Sequence, residues 1–269
     1  MVGGEKVKMA TISHDSLSIS HEKLLHYCSF DTLQKILENK TLKLSNLENL
    51  NDIHEKKRKG IEYHAKETFV ACFSHCQHEI VPFWYNYGGN QNKDKLLLRI
   101  KNFAGEFEKC FSTNSFIDGK TYKRKQFDLG ILSIQTIDVE YLPLNHDDLN
   151  RSYSAPAVLR ANSTAQTVST GVLHDMTLLG HQKSVHWDYE KETRIVCTMG
   201  AHYKILFESM YLILDDYFFE DMEIILNPWC DDEFASKVSD YIKQVSLPVE
   251  IRETINISKS ELDGLLREI

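Results

Sequence analysis

No apolar run in this chain approaches the length a membrane helix needs. The longest, such as Leu96-Leu97-Leu98 and Ile224-Ile225-Leu226, fall far short of roughly 20 consecutive apolar residues. Cys-x-x-Cys pairs are absent, and Cys72-x-x-x-Cys76 has no second half at zinc-ligand spacing. The six cysteines are scattered, mostly inside apolar strand-like runs, so reduced buried thiols are expected and no disulfide framework or zinc ribbon. A Gly-Lys phosphate loop, a Rossmann glycine fingerprint and a His-Glu-x-x-His helix are all missing. Kinase, dinucleotide-dehydrogenase and zincin readings therefore lack their marks. Ser74 has no Gly-x-Ser-x-Gly elbow around it, which disfavours hydrolase chemistry there. Positive charge is also short. With 31 basic against 39 acidic residues and a net charge of −8, a broad non-specific grip on nucleic acid is disfavoured, though a local basic groove is not. The only dense cationic run, Lys56 to Lys59, reads as a solvated face.

What remains is an ordinary globular composition, 42% hydrophobic and 26% charged, long enough for one large domain or two small ones. Residues 1–20 are polar and mixed, without the apolar centre of a signal peptide. They read as a flexible leader, and a cytoplasmic location is expected. Residues 21–269 read as a single domain. Leu24 to Tyr27 is a strand candidate. Ser29-Phe30-Asp31 caps a helix bearing Leu33, Ile36 and Leu37 at helical spacing. Thr41 to Ser45 alternates like a half-buried strand, and Thr68 to Ser74 is a continuous buried one. Lys95 to Ile100 and parts of Phe127 to Leu142 have strand character. Ala104 to Phe111 is helical or irregular, Asn150 to Gly171 is a loop or weak helix, and Leu173 to Ser184 is expected to be helical. The end reads as strand (Met222–Leu226), helix (Cys230–Gln244) and strand (Pro248–Ile257). Strands without strict alternation with helices point to an α+β fold.

Four clusters could carry chemistry. His26, at a strand end beside a helix start, could donate to a ligand hydroxyl or be a satisfied core histidine. Asn51-Asp52-Ile53-His54-Glu55 reads as a loop with a turn residue and a capping carboxylate. Ser74 followed by Trp84, Tyr85 and Tyr87 could floor a planar ring, or form a plain aromatic mini-core. Glu190 and Glu192 stand two residues apart at the mouth of an apolar strand, where i and i+2 share a face. Their repulsion can hold one partly protonated or leave both awaiting a cation. Arg194, on the same face, could instead neutralise the pair with a salt bridge.

The ordered set resembles a large bacterial and phage family of uncharacterised domains. It comprises His26-Tyr27-Cys28-Ser29 with Leu33-Gln34-Lys35-Ile36-Leu37, Leu44-Ser45, Asn51-Asp52-Ile53-His54-Glu55, Cys72-Phe73-Ser74 with Trp84 to Tyr87, Lys183 to Arg194, and Ile224 onward. More remotely, it resembles ADP-ribosyltransferases. That resemblance implies a split β-sheet core with peripheral helices and a C-terminal β-α-β unit, and an enzyme that consumes NAD to modify a macromolecule (protein, RNA or DNA). It also implies a toxin or antiviral defence effector, with an antitoxin or other regulatory protein as partner, no membrane partner and no metal. Carried over, His26 and Tyr27 lie at the nicotinamide end, and Ser74 orders the NAD-binding face. Trp84 or Tyr87 stacks on nicotinamide, Glu192 stabilises the oxocarbenium-like state, and Glu190 serves the acceptor. The Ser-Thr-Ser triplet of many toxin transferases is absent, with Phe73-Ser74-His75 in its place. Two other readings stand beside this one: a metal-dependent nuclease or phosphotransferase using Asp52, His54 and Glu55, and a non-catalytic module sensing a nucleotide or protein through Trp84 to Tyr87.

Overall fold

A computed structural model describes residues 21–56, 64–87, 92–101, 111–118, 124–125, 131–145, 179–199 and 209–266. The fold is mixed α+β, with a large and mostly antiparallel sheet. Its central strands are β1 (Lys23–Ser29), β2 (Thr41–Asn46), β3 (Thr68–Ser74) and β4 (Lys95–Lys101). Later come β5 (Phe111–Asp118), β6 (Arg124–Lys125), β7 (Ile131–Asp138), β8 (Glu140–Leu142) and β9 (Gln182–Ser184). The set ends with β10 (Glu192–Met199), β11 (Ser209–Leu214), β12 (Glu223–Leu226) and β13 (Asn256–Lys259).

One side of the sheet runs β13-β12-β4-β1, and another runs β2-β11-β5-β6. Strand β3 joins them, and its other edge pairs along its whole length with β10, which in turn pairs with β7. On the shared edge, β1 meets β3 only at Leu25↔Ser74, while β2 meets it at Ser45↔Val70 and Asn46↔Phe69. Among the described residues, 71–73 have no strand partner on that edge. The sheet is split there, with β1 and β2 diverging from opposite ends of one strand.

Two helices cover one face. Helix α1 (Phe30–Asn39) starts at Ser29, whose hydroxyl accepts from the Thr32 N–H at 3.1 Å. It buries Leu33, Ile36 and Leu37, and ends where Lys40 turns left-handed. Two short helices follow, α2 (Ile53–Lys56) and α3 (Val81–Asn86). Helix α4 (Asp232–Gln244) is capped by Asp231, which accepts from Phe234 at 2.8 Å, so a carboxylate sits at the positive end of the helix. Phe234, Val238 and Ile242 recur at four-residue spacing and bury against the sheet beside Leu24, Phe69, Ala71, Ile195 and Ile224. The opposite face carries two smaller clusters, one around Leu25, Trp84, Leu97 and Ile225, the other around Val70, Ile137, Leu179 and Val196.

Three expectations change. The described part of Leu173 to Ser184 contains a strand, β9, parallel to β8. Gln182, Lys183 and Ser184 are all buried. Their partners Glu140, Glu190 and Asp52 lie elsewhere in the chain, so no apolar pattern announces the strand. Pro248 to Ile257 is not one strand. Pro248 precedes a short helix, α5 (Val249–Arg252), and only then does β13 pair in parallel with β12. Glu190 ends a 3₁₀ turn (Val185–Glu190) and is not in the strand that begins at Glu192. The expected segments 104–110 and 150–171, with the leader 1–20, lie outside the described residues. Among the described residues, no helix is long and apolar enough to cross a membrane. Burial pushes the Cys28, Cys72 and Cys197 thiols up to about 12, so they stay protonated.

Candidate active site

The split in the sheet opens into a cavity of about 250 Å³. His26, Tyr27, Ser74, Tyr87 and Glu192 all line it, with Lys183 and Arg194. Strand register explains the convergence: Leu25, Ser74 and Glu192 stand side by side on β1, β3 and β10.

By alternation His26 belongs with Leu24 and Cys28 on the large-core side. The missing strand partner at 71–73 lets its ring turn to the gap instead, where Nδ1 donates to the Cys72 carbonyl at 3.1 Å. A carbonyl can only accept, so Nδ1 carries the proton. Burial lowers the pKa of His26, outweighing that hydrogen bond, and the ring is neutral. Nε2 is then a hydrogen-bond acceptor, the reverse of the donor role expected from sequence. Replacing His26 with Leu should cost about 1 kcal/mol, the low end for a stranded carbonyl, because cavity water can reach Cys72. Urea denaturation would measure this; an unchanged midpoint would show that the ring does not support the split.

Beneath the cavity lies a buried charge network. Arg194, fully buried, makes a two-pronged ion pair with Glu55, with its second nitrogen 3.1 Å from Glu55 Oε1. Its Nε donates to Glu192 Oε2 at 2.7 Å, and Nη1, already bonded to Glu55, also donates to the Gly180 carbonyl at 2.9 Å. Lys183 Nζ sits 2.5 Å from Glu190 Oε2 and 3.5 Å from Glu192 Oε1, with its ammonium 4.6 Å from the centre of the Trp187 ring. Tyr87 donates to Glu190 Oε1 at 2.6 Å.

The two central glutamates differ. Burial pushes Glu190 up, Lys183 opposes this and Glu192 adds to it, leaving Glu190 above the usual carboxylate range. Burial pushes Glu192 up too, but Arg194 and Lys183 outweigh it and hold the carboxyl below its ordinary value. Lys183 is drawn down by burial, yet Glu192 and Glu190 keep it above its ordinary value. Glu192 is therefore the ionised carboxylate on the cavity wall. Its Oε2 is taken by Arg194, while Oε1 meets Lys183 only at 3.5 Å.

The expected salt bridge from Arg194 does form, but it is wholly buried and shared with Glu55. Glu190 is fully buried and absent from the cavity wall, so it does not face an acceptor. It anchors Lys183 and Tyr87. Ser74 lines the cavity, but its hydroxyl donates to the Glu190 carbonyl at 2.7 Å, pinning the turn that delivers Glu192. Trp84 is a clearer correction. It is fully buried against Leu25, Leu97 and Ile225, with its indole N–H donating to Glu79 at 2.8 Å. A ring held there cannot stack on a ligand in the cavity. Trp84→Phe should destabilise by about 1–3 kcal/mol through the donor lost to buried Glu79. Turnover of the folded protein should be unchanged, and a selective loss of turnover would restore the stacking role.

Sequence reasoning gave three members of the site no place in it. Lys183 stood in the motif from Lys183 to Arg194 without a role, at the end of a stretch expected to be helical, and Glu55 read as part of a capping loop or a separate metal cluster. Tyr141, whose hydroxyl accepts from the Glu192 N–H at 2.8 Å, looked like one more strand residue. Asp52 accepts from the His54 and Ser184 N–H groups. With Glu55 held by Arg194, both acids of the proposed nuclease cluster are engaged by protein donors.

No known protein family, curated protein or solved structure significantly matches the chain.

Proposed function

We propose that the protein is an ADP-ribosyltransferase-like enzyme that consumes NAD to modify a macromolecule, and that its divided sheet is the corresponding core. The observation that carries the reading is the convergence of His26, Ser74 and an ionised Glu192 on one cavity at the split. At about 250 Å³ the cavity lies just under the ~300–1,000 Å³ of common ligand sites. That suits the nicotinamide-ribose half of NAD, with the adenylate half outside.

The bond that breaks joins the ribose C1′ to the nicotinamide nitrogen. Its electron pair leaves with nicotinamide, positive charge builds on the ribose, and a nucleophile on the acceptor bonds to C1′ and gives up its proton. A fixed carboxylate lowers the barrier by meeting charge where it develops. Glu192 supplies it, with Oε1 receiving the ribose 2′-hydroxyl. His26 Nε2 accepts from the nicotinamide amide or a ribose hydroxyl, and the Tyr87 and Tyr27 rings wall off water. Glu55 and Glu192 match the charges of Arg194 and Lys183, and Glu190, raised above its ordinary value, adds a third carboxyl beside them. Toxin or anti-phage effector, restrained by an antitoxin-like partner, is the role this chemistry suits.

Purified protein incubated with NAD and protein, RNA or DNA acceptors should release nicotinamide and label one acceptor class with ADP-ribose. No release with any acceptor would sink the reading.

A further inference from the structure

A second cluster lies at the end of the strands that carry the cavity, on the other side of β10. His21 precedes β1, His75 follows β3 directly, and Asp138 closes β7. Thr193, on β10, is in register with Asp138. Thr193 is next to Glu192 but alternates to the opposite face, so this cluster is separate from the buried charge network.

We propose that His21, His75 and Asp138 form a binding site for a divalent transition-metal ion of the zinc type. One ring nitrogen of each histidine and a carboxylate oxygen of Asp138 all lie within 4.8 Å of one another. His21 Nε2 is 2.8 Å from Asp138 Oδ2. Ligands at tetrahedral corners, with bonds of about 2.0–2.2 Å, sit roughly 3.3 Å apart. Closing onto one ion requires rotation about the histidine side-chain torsions. Two imidazoles and one carboxylate match the borderline-soft character of zinc, and three protein ligands leave a fourth position for water.

The surroundings fit that use. The Thr193 hydroxyl donates its proton to Asp138 Oδ1 at 2.6 Å and so accepts from His75 Nδ1–H at 3.1 Å, which orients both groups and leaves His75 Nε2 as the nitrogen with a lone pair for a metal. Outer hydrogen bonds of this kind fix the ring tautomer and aim the carboxylate. The two imidazoles stack face to face, 4.0 Å between centres and 4° from parallel, so their in-plane lone pairs meet at one ion only when one ring turns out of the stack. Like charges at that separation would repel. Lys191, the nearby cation, is ion-paired with Asp188. The three ligands come from segments far apart in sequence, so an ion here would tie the start of β1 to the ends of β3 and β7.

The test uses untagged full-length protein stripped with a chelator. Zinc titrated by calorimetry should bind with one equivalent at this site, and cobalt should give the visible absorption of a tetrahedral centre. His75→Ala and Asp138→Asn should each abolish the cobalt spectrum, while Thr193→Val should weaken binding about 10–100-fold. His78→Ala, at an exposed histidine, should change nothing. Thermal unfolding without metal shows whether each variant still folds. Failure of folded wild type to bind, or a cobalt spectrum that survives in folded Asp138→Asn, would overturn the site. Neither result depends on NAD chemistry.

Discussion

Glu192→Gln should lower nicotinamide release from NAD by about 10²–10³-fold, the usual loss when one preorganised electrostatic group is removed from a transition state. The fold should survive. The amide is isosteric, and Arg194 keeps its two-pronged pair with Glu55 and its bond to the Gly180 carbonyl. A matched thermal midpoint would assign the loss to chemistry. Glu190→Gln should behave differently. Glu190 is off the cavity wall and acts through Lys183 and Tyr87, so its loss should be smaller and should come with altered NAD affinity. Equal release by wild type and Glu192→Gln would remove Glu192 from catalysis.

The largest stability effect is expected from Arg194→Met. The change leaves Glu55 and Glu192 buried without their guanidinium, and breaking one side of such a pair costs about 3–5 kcal/mol. The pH dependence should also change sign. In the wild-type protein Glu192 is held below its ordinary value of 4.5, so its contribution is complete above that value and lost as pH falls below it. Without Arg194, burial raises the stranded carboxyls. A carboxyl raised in the folded state takes up its proton as pH falls, so the deficit should shrink in mild acid. Urea denaturation at neutral and mildly acidic pH reads both effects, and Glu55→Gln combined with Arg194→Met should recover part of the loss. A deficit under 1 kcal/mol, constant with pH, would mean that the network is far wetter than its burial indicates.

Much of this site was legible as spelling before it had a shape. The residues His26, Ser74 and Glu192 are local signals: a polar group at a strand end, a hydroxyl closing a buried run, a carboxylate opening one. Their strands could be read because β3 and β10 are apolar and continuous, and α1 and α4 because their caps and four-residue spacing are local. Trp84 misled because an aromatic next to glycines looks the same whether it floors a pocket or fills a core. Only the Glu79 hydrogen bond and the Leu25–Leu97–Ile225 packing distinguish the two.

The sequence by itself determined the strongly patterned elements such as β1, β3, β10, α1 and α4, the α+β class and the residues able to do chemistry, because capping, periodicity and side-chain chemistry act over a few residues. Tertiary structure alone decided the rest. The split opposite residues 71–73 depends on where β1 and β2 leave β3, and on no single segment. Which glutamate is ionised depends on Arg194 and Lys183. Whether Arg194 belongs to Glu192 depends on Glu55, 139 residues away along the chain. Burial and charge pairing act through space, and their partners are fixed only when the strands are laid side by side.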